Sequence, residues 1–548
     1  MKKLILAAAL SIVPAAAQAA PPPKPKLILA ISVDQLSSEV FNRYRAGHAD
    51  GLRTLSDGIA YPVGYQSHAA TETCPGHSTI LTGRHPSGTG IVANNWYDRA
   101  TGQTVYCVSV PNQPDPDARG PQNLRVTTLG DWIKGVEPGA RSFAVAGKDR
   151  AAITMGGKHA DGVYWWTDGV GFTTSKYAGP VDAKVIGPAN DFNAALRIAW
   201  NKRAPDLWPA VSKTCAALAK PYRFGKLDLS GKVPPQLADG ATAKPWFADT
   251  PEFQEAFRPS PLFDTVVADF AIRLIAREKL GKGDATDVLA ISLSANDYVG
   301  HRFGNGGAEM CVQQAALDAT VGRLIAAVKA LKVPVMVVLT ADHGATDAAE
   351  REQDHDPRAS RLNTRAFIKP LNEMLKARFK LKADPIDADD PQQLFVNAGP
   401  SPALYDDVRD AAIAWLRDQP QVKEVHGRAE IEATTIPAGT AADRLTTLQR
   451  MSESYDKDRS GDIAVVFAER TSFGAPETIH DYIAGHGSLW DHDRQVPILF
   501  WWPGAPGETR AAAAETVDIA PTLAAVAGIA LPVPVDGHCL DLGGNCPN

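Results

Sequence analysis

The sequence predicts a three-layer α/β/α sandwich around a mostly parallel central sheet, and three features predict it. Near-continuous apolar runs recur along the chain, amphipathic stretches separate them, and acidic and imidazole side chains gather where the runs end. A parallel sheet is covered by helices on both faces, so its strands read as unbroken apolar runs. The 548 residues, 44% hydrophobic and 22% charged, make an ordinary folded composition that excludes disorder and low-complexity fibre.

The first element, residues 1–19, reads as a leader peptide. Lys2 and Lys3 form a positive end, Leu4 to Ala16 an apolar centre, and Ala17-Gln18-Ala19 a small-residue cleavage pattern. The apolar centre is too short to span a bilayer. No Cys follows the cleavage point, which excludes a lipoprotein anchor, and no later apolar run reaches membrane length. Cleavage after Ala19 is therefore expected to give a periplasmic or secreted protein with no stable membrane anchor.

A Pro/Lys linker at 21–26 leads into KLILAISVDQ, the first predicted strand, ending in Asp34. Equivalent runs are RSFAVAGKDR (141–150), DVLAISLSAND (287–297), VPVMVVLTADHG (333–344) and QVPILFWWPG (495–504). Helical stretches at 261–280 and 313–332 separate them, and ETVDIAPTLAAVAGI (515–529) predicts a last helix returning to the core. Strand–helix alternation of this kind gives an α/β sandwich. Two segments interrupt it: about 155–260, rich in Trp, Gly and Pro, and about 365–455, a small α/β insert. Both are expected to decorate a single domain spanning 20–548.

The 56 basic and 62 acidic residues leave a net charge of −6, a weak field that points to no nucleic-acid polymer and no anionic membrane as partner. Six cysteines suit an oxidising compartment. Cys539 and Cys546 enclose a short Gly-rich loop and are expected to pair. Cys74 is read as open to an unpaired packing role, and the other pairings are left open.

Three strand ends carry chemistry. Asp34 ends the first run, Asp297-x-x-x-His301 follows the third, and Asp342-His343 ends the fourth. One such Asp is usually a helix cap, but three, two of them with a His, read as metal ligands. Asp and His without thiolate suit zinc. The stretch TETCPGHSTILTG (71–83) places Thr73 at a helix N-terminus, where free N–H groups and the helix dipole favour an anion. Thr73 is thus the candidate nucleophile.

Asp34, Thr-x-Pro-x-His at 73–77, Asp297-x-x-x-His301, Asp342-His343-Gly344 and Gly485-His486-Gly487 occur in an order that resembles the alkaline phosphatase superfamily. Within it the chain is similar to the bacterial phosphate-irrepressible alkaline phosphatases with a threonine nucleophile, further marked by Asn94-Asn95-Trp96 and Lys148-Asp149-Arg150. The resemblance implies two zinc ions. Asp297, His301 and His486 would hold one; Asp34, Asp342 and His343, with the Thr73 oxygen, would hold the other. It implies that Asn94, Lys148 and Arg150 bind the phosphoryl oxygens, and that small phosphate monoesters are hydrolysed through a phosphothreonine. Oligomeric state and physiological substrate are not legible.

Other chemistries of the superfamily fit less well. A sulfatase needs Cys-x-Pro-x-Arg, and here Cys74 precedes Pro75 directly. A phosphodiesterase, nucleotide pyrophosphatase or phosphonate hydrolase would share Thr73 and the metals. The extra anionic oxygen of a monoester favours Lys148 and Arg150, expected to project together from an extended strand end or, in the plainer reading, to pair with Asp149 at the surface. A non-catalytic zinc or phosphate binder is the reading from another class. DKDRSGD (456–462) opens like a calcium loop but has Phe467 at the twelfth position, so it is read as leading into a strand. YWWTDG (164–169) is read as core of the first insert before a stacking platform for an aromatic leaving group.

Overall fold

The computed structural model describes residues 21–547 except 114, 116, 176–181, 237–249, 389, 398 and 400. The expected leader, 1–19, lies outside the described residues. The main sheet contains strands β1 (Leu27–Val33), β2 (Ile59–Tyr65), β3 (Ser142–Ala146), β4 (Gly162–Thr167), β5 (Gly171–Thr173), β6 (Asp287–Leu293), β7 (Val335–Thr340), β8 (Gln495–Trp501) and β9 (Glu508–Thr509). Their spatial order is β9-β2-β8-β7-β1-β6-β3-β4-β5. From β7 to β4 every neighbour is parallel.

The apolar runs form these strands because both faces are covered. Leu27, Leu29, Ile31 and Val33 of β1 enter the core on one face, and Ile28 and Ala30 enter the core on the other. Side chains alternate along a strand, so burial on both faces demands an unbroken apolar run. The helices Pro261–Arg277 and Ala308–Ala330 cover the first face; Leu129–Val136 and Ile519–Ala527 cover the second. Each Leu or Ile so buried contributes about 1.5–3 kcal/mol.

Three expectations are modified. β8 is antiparallel to both β7 and β2, a direction that an apolar run cannot encode. The segment 155–260 contributes β4 and β5 to the main sheet itself. Trp165 and Trp166 are accordingly buried, Trp166 among Phe172, Phe257 and Phe263, which leaves no platform for a ligand there. Cys74 bonds Cys107; Cys215–Cys311 and Cys539–Cys546 are the other disulfides. Cys74 therefore tethers the 73–80 helix to the hairpin Asn95–Asp98/Gln103–Tyr106.

The second insert, expected over about 365–455, reaches further: residues from Leu362 to Phe467 share a separate small core. Helices Thr364–Phe379 and Pro402–Arg417 pack on an antiparallel sheet of Ile386–Asp387, Gln393–Val396, Ile463–Phe467 and Val422–Gly427. DKDRSGD leads into its strand Ile463–Phe467. Among the described residues no helix is long and apolar enough to cross a membrane.

Candidate active site

β7, β1 and β6 lie side by side, so the segments leaving their C-terminal ends converge, as ligand sites do in open parallel sheets. Asp34 directly follows β1, and Asp342 and His343 follow β7. Asp297 sits in the first turn of the helix after β6, Ala295–Phe303, rather than on the strand end. Asp297 and His301 are thus one turn apart on one helix face. His486 arrives from the loop before β8, with Nε2 3.6 Å from Asp297 Oδ1; His301 Nε2 is 3.3 Å from the same oxygen.

The donor chemistry fits a bound cation. His301, His343 and His486 each place Nδ1 2.8–2.9 Å from a backbone carbonyl, of Ala484, Gly344 and Thr71 respectively. Donation from Nδ1–H fixes the tautomer with the Nε2 lone pair free, the usual second contact of a metal-ligating histidine. The carboxylates are similarly half-engaged. Asp342 Oδ1 accepts the N–H groups of Gln35 and His343, Asp34 Oδ1 accepts the Ser292 hydroxyl, and Asp297 Oδ2 accepts Lys148. Asp34 Oδ2, Asp297 Oδ1, Asp342 Oδ2 and His343 Nε2 are buried and make no hydrogen bond of good geometry, only ion-pair contacts at 3.1–3.6 Å with Lys148, His301, His486, His77 and one another. Lone pairs left in this way are open to a cation.

The nucleophile segment forms the helix Thr73–Ile80, with Thr73 buried at its first position. Asn94 Oδ1 accepts the Cys74 N–H at 2.9 Å, which turns the side chain toward this N-terminus. Gly76 is required by close approach: a Cβ there would meet the Asp342 carbonyl oxygen at 1.8 Å. A cleft lined by Glu72, Asn94, Trp96, Tyr97 and Phe395 opens beside the helix start.

Lys148 and Arg150 do not lie on an extended strand. β3 ends at Ala146, Lys148 caps the helix Asp149–Gly156, and Arg150 lies in its first turn. They still converge. Lys148 Nζ lies 2.6 Å from Asp297 Oδ2 and 3.1 Å from Asp34 Oδ2, while Arg150 Nη2 donates to Thr73 Oγ1 at 3.4 Å. Asp149 forms an ion pair with neither side chain: its carboxylate accepts the Arg150 backbone N–H, the Tyr106 hydroxyl and the Arg119 guanidinium. Tyr106 in turn is 3.5 Å from Arg150 Nη1.

Electrostatics follow from this packing. Burial would push the Asp297 carboxyl up, yet Lys148, His301 and His486 hold it well below the usual carboxylate range. Burial, reinforced by His343 and His301, holds the His486 imidazole well below its usual value and therefore neutral, as a ligand must be. Burial opposes charge on Lys148, but Asp297 and Asp34 outweigh it and raise the ammonium above its ordinary value.

Two neighbours were missed. His77 lies between Asp34 Oδ1 at 3.3 Å and Asp342 Oδ2 at 3.2 Å, and Ser292 of β6 bridges Asp34 and His77. Burial would lower the His77 imidazole; the two aspartates overcome it and push it up to about 10. The signal for His77 was its place in Thr-x-Pro-x-His, four residues from Thr73. Ser292, inside an apolar run, gave none.

A sheet whose parallel strand ends gather three aspartates, three histidines and a threonine at a helix start defines a class, and the type I phosphodiesterase / nucleotide pyrophosphatase family model matches residues 28–489. The chain belongs to that family, within the alkaline phosphatase superfamily, and is an enzyme of it. It is 40% identical to "Alkaline phosphatase PhoD" of Zymomonas mobilis over 94% of this chain and 88% of that one. It is 38% identical to "Alkaline phosphatase PhoK" of Sphingomonas sp, over 94% and 91%. The crystal structure of alkaline phosphatase PafA superposes with a TM-score of 0.80 at 26% identity, covering 94% of this chain and 98% of that one.

Proposed function

We propose that the protein is an exported two-zinc alkaline phosphatase that hydrolyses phosphate monoesters to alcohol and inorganic phosphate through a phosphothreonine at Thr73. The observation that carries this is the convergence of Arg150 on Thr73 Oγ1 with Lys148 buried two residues earlier beside Asp297 and Asp34. A monoester has one more anionic oxygen than a diester, and two adjacent cations complement it. The names of PhoD, PhoK and PafA support the reading. A crystallised PafA variant is substituted at a threonine, an asparagine, a lysine and an arginine, in that order. Thr73, Asn94, Lys148 and Arg150 follow the same order, with the same interval within the Thr/Asn pair and within the Lys/Arg pair.

Asp297, His301 and His486 would hold one ion; Asp34, Asp342 and His343, with Thr73 Oγ1, would hold the other. When bound, zinc supplies the positive charge that eases deprotonation of a hydroxyl and offsets charge on the departing alcohol oxygen. The chain does the rest. The helix N-terminus and Arg150 orient Thr73 and favour negative charge on its oxygen. Thr73 Oγ1 attacks phosphorus as the bond to the alcohol oxygen breaks, leaving phosphate on Thr73. Water then attacks the same phosphorus from the vacated side, releasing inorganic phosphate and restoring the hydroxyl. Asn94, Lys148 and Arg150 hold the non-bridging oxygens throughout, and the alcohol extends into the cleft between Asn94 and Phe395. The leader at 1–19 supports export to the periplasm or beyond.

The test is kcat/KM on a matched aryl phosphate monoester and diester, before and after chelation. A large monoester preference lost on chelation and restored by Zn2+ is expected. A diester preference would overturn the substrate assignment, and turnover that survives chelation would overturn the metal assignment.

A further inference from the structure

We propose that His85, Glu453 and Glu515 form a third divalent-metal site, separate from the catalytic groups and suited to zinc. His85 follows the nucleophile helix, Glu453 lies in the last turn of the insert's helix Thr447–Ser454, and Glu515 precedes the final helix Ile519–Ala527. Their candidate ligand atoms all lie within 4.8 Å of one another.

Four observations support the site. His85 Nε2 is 3.5 Å from Glu453 Oε1 and 3.9 Å from Glu515 Oε2. Those separations are too long for charge-assisted hydrogen bonds, which run about 2.7–2.9 Å. They are close to the roughly 3.4 Å between ligands that share a tetrahedral ion with bonds of about 2.1 Å. The Asp297, His301 and His486 group shows the same spacing, 3.3 and 3.6 Å. Second, Glu453 is 92% buried, with 8% of its surface exposed, and its Oε2 has no hydrogen-bond partner. Asp34, Asp297 and Asp342 likewise each carry one oxygen that accepts no hydrogen bond. Third, His85 Nδ1 is 3.3 Å from Ser67 Oγ, which can orient the ring with Nε2 facing the carboxylates.

Charge supplies the fourth. Burial, with Glu453 and Asp518 close by, pushes the Glu515 carboxyl up to about 7, so the cluster resists carrying two carboxylate charges with only His85 to offset them. A divalent ion with neutral His85 brings the three ligands to neutrality. One nitrogen and two carboxylate oxygens suit Zn2+. His85 and Glu515 are only partly buried, which leaves an entry path. The ion would staple three segments distant in sequence to the end of the nucleophile helix.

The test counts zinc. Wild-type holoenzyme and the Glu453→Gln and His85→Asn variants are saturated with Zn2+, desalted and measured by mass spectrometry of the metal. Each variant is expected to hold one equivalent fewer than wild type, whatever the number of catalytic ions; equal content would overturn the site. Should the variants fail to fold, wild-type crystals measured at the zinc edge decide. An anomalous peak between His85, Glu453 and Glu515 is expected. Absence of that peak beside occupied catalytic positions would overturn the proposal, leaving His85 as a proton-sharing partner of the two glutamates.

Discussion

Gly76 and Asp342 meet backbone to backbone: the Thr73–Ile80 helix and the loop after β7 are so close that a methyl group on Gly76 would sit 1.8 Å from the Asp342 carbonyl oxygen. Relief by side-chain motion is impossible, because the obstacle is main chain. Gly76→Ala is expected to move Thr73 relative to the aspartates and lower monoester kcat/KM by at least about 100-fold, the order expected for a roughly 1 Å misplacement. Activity within 3-fold of wild type would contradict this coupling.

Lys148 and Arg150 are asked to distinguish substrates. Lys148→Ala with Arg150→Ala is expected to lower monoester kcat/KM by about 100–1,000-fold, the scale of removing preorganised donors. Diester kcat/KM should fall less, so the ratio of the two substrates is the readout. A ratio unchanged from wild type would remove the basis for preferring monoesters.

Thr73→Ala is expected to abolish turnover and the acid-stable phosphate that quenching traps on the wild-type chain. Thr73→Ser retains an oxygen at the same helix position and should keep measurable activity with phosphate trapped at residue 73. A phosphorylated Thr73→Ala chain would place the nucleophile elsewhere.

Asp264 gives a pH prediction. It accepts the Ala295 N–H at 2.8 Å and Gln313 Nε2 at 3.0 Å, and burial pushes its carboxyl up to about 7. An unfolded aspartate ionises near pH 4. The native chain therefore keeps a proton that the unfolded chain releases, and stability falls as pH rises from about 4 to about 7, by on the order of 4 kcal/mol. Asp264→Asn removes this dependence. In urea unfolding its stability relative to wild type should be greater at pH 8 than at pH 5; a gap independent of pH would refute the assignment.

Much of this architecture was legible because burial on both faces leaves an apolar signature. KLILAISVDQ marks β1 and places Asp34 at its end, and the order of the Thr73, Asp297, Asp342 and His486 motifs marks the catalytic face. Direction and pairing were not legible. β8 has the same apolar run as β1 yet is antiparallel, since hydrophobic burial carries no sense of direction. Trp165 and Trp166 looked like an insert because aromatic bulk obscures the strand pattern. Lys148 and Arg150 were recognised as a pair, but their route to the site passes through a helix start and Tyr106, contacts with no trace in local spacing. His77 and Cys74 acquire their roles only from partners distant in the chain, Asp342 and Cys107.

β1 lies at the centre of the sheet, flanked by β6 from Asp287 and β7 from Val335. During synthesis this segment therefore emerges long before either of its neighbours exists. Until then it is a seven-residue apolar strand with both edges bare, the kind of segment that invites pairing between nascent chains. Pairings so distant in sequence also slow folding, because loop closure must precede the contacts that reward it. Maturation is thus expected to be late and nearly all at once: a ribosome-bound fragment lacking the Asp342 and His486 segments cannot assemble the catalytic constellation, and truncated translation products should be inert.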